Sequence, residues 1–154
     1  MTPKPTGKKL VTNNPKAFHL YEILERIEAG LMLIGCEVKS IRAGEVTIKE
    51  GFARIIGKEL WLVNAHISPY KEGNRFNHEP LRNRKLLLHR SEIKKLVSKM
   101  TEKGLVLVPI GLYFDKGKVK VELGLGKPKK LFDKRKSLKE REVKRYIDRS
   151  LKNY

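Results

Sequence analysis

The sequence of 154 residues predicts a mainly β protein: a small closed antiparallel β-barrel with peripheral helices and a basic C-terminal tail. Two glycine-containing hairpins and a strand of alternating residues predict the sheet. One clearly amphipathic segment predicts a helix beside it. The charge predicts the tail and a polyanionic partner, since 35 Lys and Arg residues against 17 Asp and Glu residues give a net charge of +18.

The N-terminal half of the chain is predicted to supply four strands. Segment 18–28 mixes alternating and helical spacing of its apolar residues, and a strand is the favoured interpretation. Segment 31–41 mixes apolar and polar residues, as a barrel strand does. Segments 53–56 and 60–64 flank a turn that contains Gly57, and they therefore predict a hairpin.

The C-terminal half is predicted to supply a second hairpin. Its strands are 105–114 and 118–123, and Gly117 lies in the turn. In the second strand apolar residues alternate with Lys and Glu, so one face is predicted to be buried and the other to be wet and basic. Pro109 interrupts the first strand and predicts an edge or a bulge.

Between the hairpins lies the one segment that is clearly helical. Ser91 is predicted as its N-cap and Gly104 as the residue that ends it. The residues between them place an apolar side chain at i, i+3, i+4 and i+7: Ile93, Leu96, Val97 and Met100. The polar segment 68–84 before this helix is predicted as a loop of functional length.

The charge is unevenly distributed, and it divides the chain into three predicted parts. Residues 1–126 hold 23 basic and 13 acidic side chains, a net charge of +10, whereas residues 127–154 hold 12 and 4, a net charge of +8. We therefore predict a flexible basic arm over 1–13 and a folded body over 14–126. A basic tail over 127–154 is predicted to be disordered when the protein is free.

Composition excludes several functional classes. The apolar runs are too short for a membrane-spanning helix or a secretory signal, and one cysteine, Cys36, excludes an internal disulfide and fits a reducing cytoplasm. The four histidines lack zinc-ligand spacing, and segment 124–127 lacks the pattern of a Walker phosphate loop. The sequence therefore predicts no metal, no cofactor and no enzymatic activity.

Three basic clusters predict instead that the chain binds nucleic acid. They lie at 37–42, 82–85 and 127–135. Lys and Arg side chains contact phosphates, and the release of counterions supplies most of the affinity that does not depend on sequence. An anionic membrane surface is the rival partner, but the tail lacks the wide apolar face that amphipathic anchors need.

Four segments, in order along the chain, resemble the signatures of one known family. They are GCEVKSIR at 35–42, NAHISPY at 64–70, RNRKLLL at 82–88 and FDKR at 132–135. Their order and spacing agree with the family from Asn14 to the C-terminus. On these motifs the chain resembles the SsrA-binding proteins, also called small protein B, which bind transfer-messenger RNA (tmRNA).

The resemblance implies an antiparallel barrel of about six strands, related to OB-folds, and a role in trans-translation. Family members bind the tRNA-like domain of tmRNA and bring it to ribosomes stalled on messages without a stop codon, so that the nascent chain is tagged for degradation. The implied partners are tmRNA, the ribosome and, indirectly, the complex with elongation factor Tu, but neither DNA nor a membrane. The implied location is cytoplasmic, and the family has no catalytic activity of its own.

The resemblance also implies which residues contact each RNA. The tmRNA contacts lie in the body and at the start of the tail: Tyr21, Glu28, Lys39, Arg42, Asn64, Arg82, Arg84, Lys85, Leu87, His89, Lys127, Lys129 and Lys130. The contacts with the decoding centre and the mRNA channel lie near the N-terminus and in the tail: His19, Asp133, Lys134, Arg135, Lys136, Lys139, Arg141, Lys144, Arg145, Tyr146 and Arg149.

Several of these residues have a structural alternative. Core packing is the alternative for Tyr21 and Leu87, turn formation for Asn64, and a surface imidazole without a function for His19. Two rival functions also stay open: a general OB-type RNA chaperone or ribosome-associated factor, and an RNA-modifying enzyme, which would need a cofactor site. The chain departs from the family pattern at Pro15 and Pro128.

The tail has the composition of a marginal helix. Segment 136–153 contains good helix formers, but its apolar residues form only a narrow stripe. We predict that the tail is disordered when free and becomes helical against ribosomal RNA in the empty mRNA channel. Eighteen helical residues at 1.5 Å each would reach roughly 27 Å, so a channel filled with message would exclude them.

Overall fold

The computed structural model describes residues 8–71 and 77–129. They form nine strands and three helices, mainly β as the sequence predicts. In chain order the elements are β1 (Lys8–Asn13), α1 (Pro15–Leu20), β2 (Tyr21–Leu31), α2 (Gly35–Arg42), β3 (Val46–Thr47), β4 (Phe52–Ile56), β5 (Glu59–Val63), β6 (His66–Ile67), β7 (Arg84–Leu87), α3 (Arg90–Lys103), β8 (Val106–Asp115) and β9 (Lys118–Pro128).

Seven strands form one antiparallel sheet in the order β1-β8-β9-β2-β7-β5-β4, and β3 pairs with β6 in a second, small sheet. The predicted closed barrel is not found, because within the described residues no ladder of hydrogen bonds joins β4 back to β8 or β1. Pro109 of β8, which has no amide N–H, packs close to Gly51 just before β4: its ring is 3.1 Å from where a Cβ on Gly51 would lie. This sheet therefore does not confirm the predicted closed barrel.

Both predicted hairpins are confirmed. β4 and β5 pair from Phe52 with Val63 to Ile56 with Glu59, and Gly57 in the turn has a left-handed φ of +66°. In the second hairpin β8 pairs with β9, and Gly117 has a φ of +79°. The register of β8 shifts between Pro109 and Gly111, so the predicted bulge is confirmed as well.

The predicted helix is confirmed as α3, with one correction at its start. The N-cap is His89 rather than Ser91, and the His89 amide donates to Glu92 Oε1 at 3.3 Å. The helix ends at Gly104, which adopts a left-handed φ of 62°. Its apolar face, which includes Ile93 and Leu96, is buried against the sheet core.

The prediction of a strand over 31–41 was wrong for most of its length. Strand β2 ends at Leu31, and 35–42 forms helix α2. The buried residues of α2 are Glu37, Ser40 and Ile41, which have helical spacing. A buried carboxylate breaks the apolar pattern, and the helix is only eight residues long, so its periodicity was hidden.

The limits of the predicted arm and tail also differ from the structure. Residues 8–13, predicted as part of a flexible arm, form β1, which pairs with β8. In segment 18–28 the predicted strand begins only at Tyr21, because Pro15 starts a short helix, α1. Lys127, predicted to open the tail, lies in β9 opposite Glu22. The remainder of the predicted tail, 130–154, lies outside the described residues, as does 1–7.

The core lies on one face of the large sheet. The alternating residues Val119, Val121 and Leu123 of β9 are buried there, as predicted, and Leu107 and Leu112 of β8 join them. Within the described residues no helix is long and apolar enough to cross a membrane. The opposite face of the same strands is the one that carries charge.

Candidate RNA-binding surface

Five strands present one row of side chains on the solvent side of the sheet. The pairings place Leu87 opposite Gly30, Gly30 opposite Lys120, Lys120 opposite Tyr113, and Tyr113 opposite Leu10. Residues directly opposite one another in a ladder share a face, so the row runs across β7, β2, β9, β8 and β1. We call this surface the outer face. It combines exposed apolar groups, Leu10 and Leu87, with a lysine between them.

Glu28 lies on the outer face, two residues from Gly30. Its Oε2 accepts a hydrogen bond from the Tyr113 hydroxyl and another from Lys8 Nζ at 3.3 Å. The hydrogen bond from Tyr113 and the charge of Lys8 hold the pKa of the Glu28 carboxyl below its ordinary value, against the smaller effect of burial. The predicted tmRNA residue Glu28 is therefore an ionised, half-exposed acceptor.

A groove of about 470 Å³ contains this carboxylate. Lys8 and Leu10 form one side of it, and Arg26 and Glu122 lie on the other strands. Glu122 is directly opposite Glu28 across the β2–β9 ladder. Each carboxylate has its own cation, since Arg26 lies 3.4 Å from Glu122.

Leu87 lies at the other end of the row, where its side chain is 46% exposed. It lines a second groove of about 310 Å³, together with Val38 of α2 and with Lys118 and Lys120 of β9. A Cβ on Gly30 would lie 3.2 Å from Leu87 Cβ, so glycine leaves the room that this side chain occupies. Exposure favours the predicted RNA contact of Leu87 over the core alternative.

A buried ion triad fixes helix α2 beside the outer face. Glu37, with an exposed fraction of 0%, accepts from Arg84 Nε at 2.6 Å and from Arg82 Nη2 at 2.5 Å. Burial opposes ionisation of Glu37, but the two guanidinium groups and the Ile34 amide hold its pKa below the ordinary value. The first and third signature segments of the sequence therefore meet in this triad.

The structure corrects the prediction that Arg84 contacts RNA. Its exposed fraction is 0%, and its guanidinium also donates to Ala65 O at 2.6 Å and Pro80 O at 3.1 Å. Burial lowers the pKa of Arg84, although Glu37 opposes this effect. Every side of the guanidinium is thus occupied by protein, and Arg84 has a structural role. Arg82, which also bonds Glu37, is only partly exposed.

The exposed side of α2 carries the predicted contacts Lys39 and Arg42. Lys39 Nζ lies 5.6 Å from the centre of the Tyr70 ring, and the Arg42 guanidinium lies 5.5 Å from the centre of the Phe114 ring. These cation–π contacts hold the aliphatic parts of the Lys39 and Arg42 side chains against the protein, while their charged groups stay in solvent. Both residues are therefore available to phosphates.

A second group of predicted residues lies at the far end of β2. Tyr21 begins β2 two residues after His19 of α1. Lys127 lies near the end of the neighbouring strand β9, and the amide of Lys129, just beyond it, donates to Leu20 O at 3.0 Å. Tyr21 packs against a small apolar cluster, which favours its core alternative. Glu28 lies seven positions after Tyr21 along the strand, about 23 Å away, so the structure divides the predicted contacts into two patches.

Three further predicted residues lie around these patches. Asn64 forms an exposed turn with a left-handed φ of 66°, and its side chain donates to Glu50 O at 3.4 Å, as the turn alternative implies. Lys85 of β7 is 3.7 Å from Glu59, and His89 is exposed at the start of α3. Lys130 and the tail contacts 133–149 lie outside the described residues.

Sequence reasoning missed three residues of this surface: Lys8, Tyr113 and Glu37 as an anchor. Lys8 was placed in a flexible arm, and Tyr113 lies in a strand whose apolar run hides its hydroxyl. The alternation of Lys118, Lys120 and Glu122 was the one available signal for the outer face. Within the described residues no group of three metal-ligating side chains occurs.

The fold and the outer face together define a small, strongly basic β-sheet protein with charged and apolar side chains adjacent on one face, a combination typical of RNA-binding proteins. The sequence profile of the family described as "SmpB protein" matches residues 11–153. The chain belongs to this family.

Relatives and a solved structure agree with the family assignment. The chain is 56% identical to the SsrA-binding protein of Trichormus variabilis over 155 aligned positions, which cover all of both chains. It is 54% identical to the SsrA-binding protein of Carboxydothermus hydrogenoformans over 94% of this chain and 97% of the relative. A chain of the structure described as "tmRNA-SmpB: a journey to the center of the bacterial ribosome" is 50% identical and superimposes with a TM-score of 0.65, covering 78% of this chain and 85% of that one.

Proposed function

We propose that this protein binds the tRNA-like domain of tmRNA and brings it to stalled ribosomes in trans-translation. Its relatives are named for SsrA binding, and the similar structure is described as tmRNA-SmpB at the bacterial ribosome. Family membership and the basic outer face support the same function in this chain. The protein acts in the cytoplasm by binding, without catalysis of its own.

The outer face is the observation that carries the proposal. An ionised carboxylate, Glu28, accepts from base amino groups, and the exposed Leu87 offers an apolar surface to an unstacked base. Lys39, Arg42 and Lys120 contact the phosphates around them. An RNA with splayed bases beside a structured backbone, as in the loops of a tRNA-like domain, fits this arrangement.

Competition between two RNAs tests the function. The full chain is bound to a labelled tRNA-like domain of tmRNA and displaced with the same domain or with an unrelated structured RNA of equal length. We expect the tRNA-like domain to compete at least about tenfold better, a difference of about 1.4 kcal/mol. Equal competition would contradict the proposal and would support the rival function, a general RNA chaperone.

Affinity for tmRNA should fall steeply with salt. Six phosphate contacts would lower the association constant by about 10³ between 50 and 200 mM salt, because each neutralised phosphate releases counterions. Lys120→Gln should reduce the slope of log K against log salt by about 1. The control is Arg54→Gln, which removes an equal charge from β4 and should leave the slope unchanged. A flat salt dependence of the parent protein would contradict the phosphate contacts.

We propose further that the large sheet curves into a barrel that is not completely closed between β4 and β8. β4 packs beside β8, and the side-chain amide of Asn14 donates to Pro109 O at 2.8 Å and to Ile48 O at 3.3 Å, so one buried residue bridges the seam. Nuclear Overhauser contacts between 52–53 and 106–108 should be observed in solution. Their absence would show that the sheet opens at this seam.

The second patch and the tail are proposed to contact the ribosome. His19 and Lys127 lie where the described chain leads into the basic segment 130–154. This position supports a division in which the outer face holds tmRNA and the tail enters the decoding centre and the empty mRNA channel. Contacts of Asp133, Arg135 and the later tail residues are part of this proposal.

A further inference from the structure

We propose that Tyr113 is a positioning residue that aims the carboxylate of Glu28 at RNA, an inference that rests on the proposed function. The Tyr113 hydroxyl and Lys8 Nζ both donate to Oε2 of Glu28. Among the described residues Oε1 has no hydrogen-bond partner, and the side chain is 40% exposed. One oxygen is therefore held by the protein, and the other is presented to a ligand.

Tyr113 is a rigid support for this carboxylate. Its exposed fraction is 9%, and its ring is fixed in β8 between Leu10 of β1 and Lys120 of β9 in the ladder. A Tyr side chain has few rotatable bonds, so its hydroxyl stays in one place. Burial and the neighbouring Glu28 carboxylate raise the pKa of Tyr113, so the hydroxyl keeps its proton and remains a donor at neutral pH.

Lys8 completes a triangle with these two residues. Its Nζ lies 5.3 Å from the centre of the Tyr113 ring and 3.3 Å from Glu28 Oε2. The amine thus touches both members of the pair, and it comes from β1, the strand at the edge of the sheet. The edge strand is therefore part of the surface that holds Glu28.

The electrostatics of the ladder explain why such support is needed. Glu28 and Glu122 are directly opposite one another, and like charges at such positions repel. Arg26 pairs with Glu122 at 3.4 Å, and its exposed side chain makes this ion pair a weak one, so it offsets the repulsion only in part. Without the Tyr113 hydroxyl, only the exposed amine of Lys8 would hold the Glu28 carboxylate, which would then be freer to turn into solvent, away from Glu122.

The chemistry of the presented oxygen defines its ligand. An ionised carboxylate only accepts hydrogen bonds, so the RNA group must be a donor. The exocyclic amino groups of guanine, adenine and cytosine are such donors, and they are accessible in an unpaired loop. Base ring N–H groups and the ribose 2′-hydroxyl are donors as well, so we assign to Oε1 the recognition of one hydrogen-bond donor of the RNA, a base amino group or one of these, with Tyr113 and Lys8 setting its direction.

A double-mutant cycle tests the inference. Dissociation constants for the tRNA-like domain are measured for the parent chain, Tyr113→Phe, Glu28→Gln and the double variant. We expect Tyr113→Phe to weaken binding about tenfold, because it removes a hydrogen bond to a charged group. In the Glu28→Gln background, Tyr113→Phe should weaken binding less than about twofold, because the carboxylate that Tyr113 positions is already absent.

Two further measurements separate positioning from a general structural role. The salt slope of Tyr113→Phe should equal that of the parent, because no phosphate contact is removed. Glu25→Gln is the matched control: it removes an exposed carboxylate from the same strand, one that bonds Lys99 and not Tyr113, and should change the affinity less than about threefold. A tenfold loss that persists in the Glu28→Gln background would show a merely structural effect of Tyr113 and would overturn the inference.

The failure of this inference is distinguishable from the failure of the proposed function. If Glu28→Gln weakens binding but Tyr113→Phe does not, Tyr113 has no positioning role and tmRNA binding still stands. If the parent chain does not prefer the tRNA-like domain over an unrelated RNA, the proposed function falls and the inference falls with it.

Discussion

Replacing Glu37 with glutamine should lower the free energy of unfolding by about 3–5 kcal/mol, the loss expected when one partner of a buried ion pair is removed. Glu37 and Arg84 both have an exposed fraction of 0%. Glutamine keeps the shape but removes the charge, so the Arg84 guanidinium stays buried without its counterion. Urea unfolding followed by circular dichroism measures the loss.

The pH dependence of this effect has a defined sign. The folded protein holds the pKa of Glu37 below its unfolded value, so its contribution to stability is complete above the unfolded pKa. The contribution is lost as the pH falls through the folded pKa. The difference in unfolding free energy between the parent and Glu37→Gln should therefore be largest near neutral pH and shrink in acid.

Glu59→Gln is the matched control for Glu37→Gln. Glu59 is a half-exposed carboxylate that lies 3.7 Å from Lys85, so its removal should cost less than about 1 kcal/mol. Equal losses in the two variants would contradict the special role of the buried triad. Because α2 carries Lys39 and Arg42, the Glu37 variant should also bind tmRNA more weakly wherever it is still folded.

Truncation after Arg135 should abolish tagging while leaving the affinity for tmRNA almost unchanged. The outer face lies entirely within 8–129, and separate contacts contribute nearly independently, so the dissociation constant should change less than about threefold. The removed segment 136–154 is the part proposed to enter the empty mRNA channel. Tagging is measured in a reconstituted translation system with ribosomes stalled on a message that lacks a stop codon.

A tail with the same residues in scrambled order is the control for the truncation. It keeps the charge of the tail but disrupts the narrow apolar stripe that includes Val143, Ile147 and Leu151. We expect this variant to bind tmRNA normally and to remain defective in tagging. If truncation instead abolished tmRNA binding, the division between the outer face and the tail would be wrong.

Local patterns in the sequence predict the parts of the fold that local physics determines. The alternation in β9, the glycines of both hairpins and the apolar spacing of α3 each reflect neighbours in sequence, and each prediction is confirmed. The bulge at Pro109 belongs to the same class, because it follows from a missing N–H.

Contacts between distant residues explain what the sequence could not predict. Arg84 looked like a phosphate ligand, but its partner Glu37 lies 47 residues earlier, and only the fold shows that both are buried. Glu37 also interrupts the apolar pattern of α2, so the sequence predicts a strand of mixed polarity there. The composition of 8–13 predicts a flexible arm, and only the fold shows that these residues pair with the distant strand β8.

The residues of the candidate surface likewise divide into those that the sequence predicts and those that only the fold reveals. Glu28 and Leu87 were predicted by resemblance and lie on one exposed face, whereas Tyr21 is packed against apolar neighbours. Tyr113 and Lys8 gave no signal, because four neighbouring strands, β1, β8, β9 and β2, bring them to Glu28. A residue that acts by holding another residue has no pattern of its own in a single sequence.

RNA footprinting with and without residues 136–154 tests whether the outer face and the tail bind two different RNAs. On free tmRNA, the full chain and the truncated chain should protect the same nucleotides of the tRNA-like domain. On stalled ribosomes, only the full chain should protect ribosomal RNA that lines the decoding centre and the mRNA channel. Loss of the tmRNA footprint on truncation, or unchanged ribosomal protection without the tail, would contradict the account.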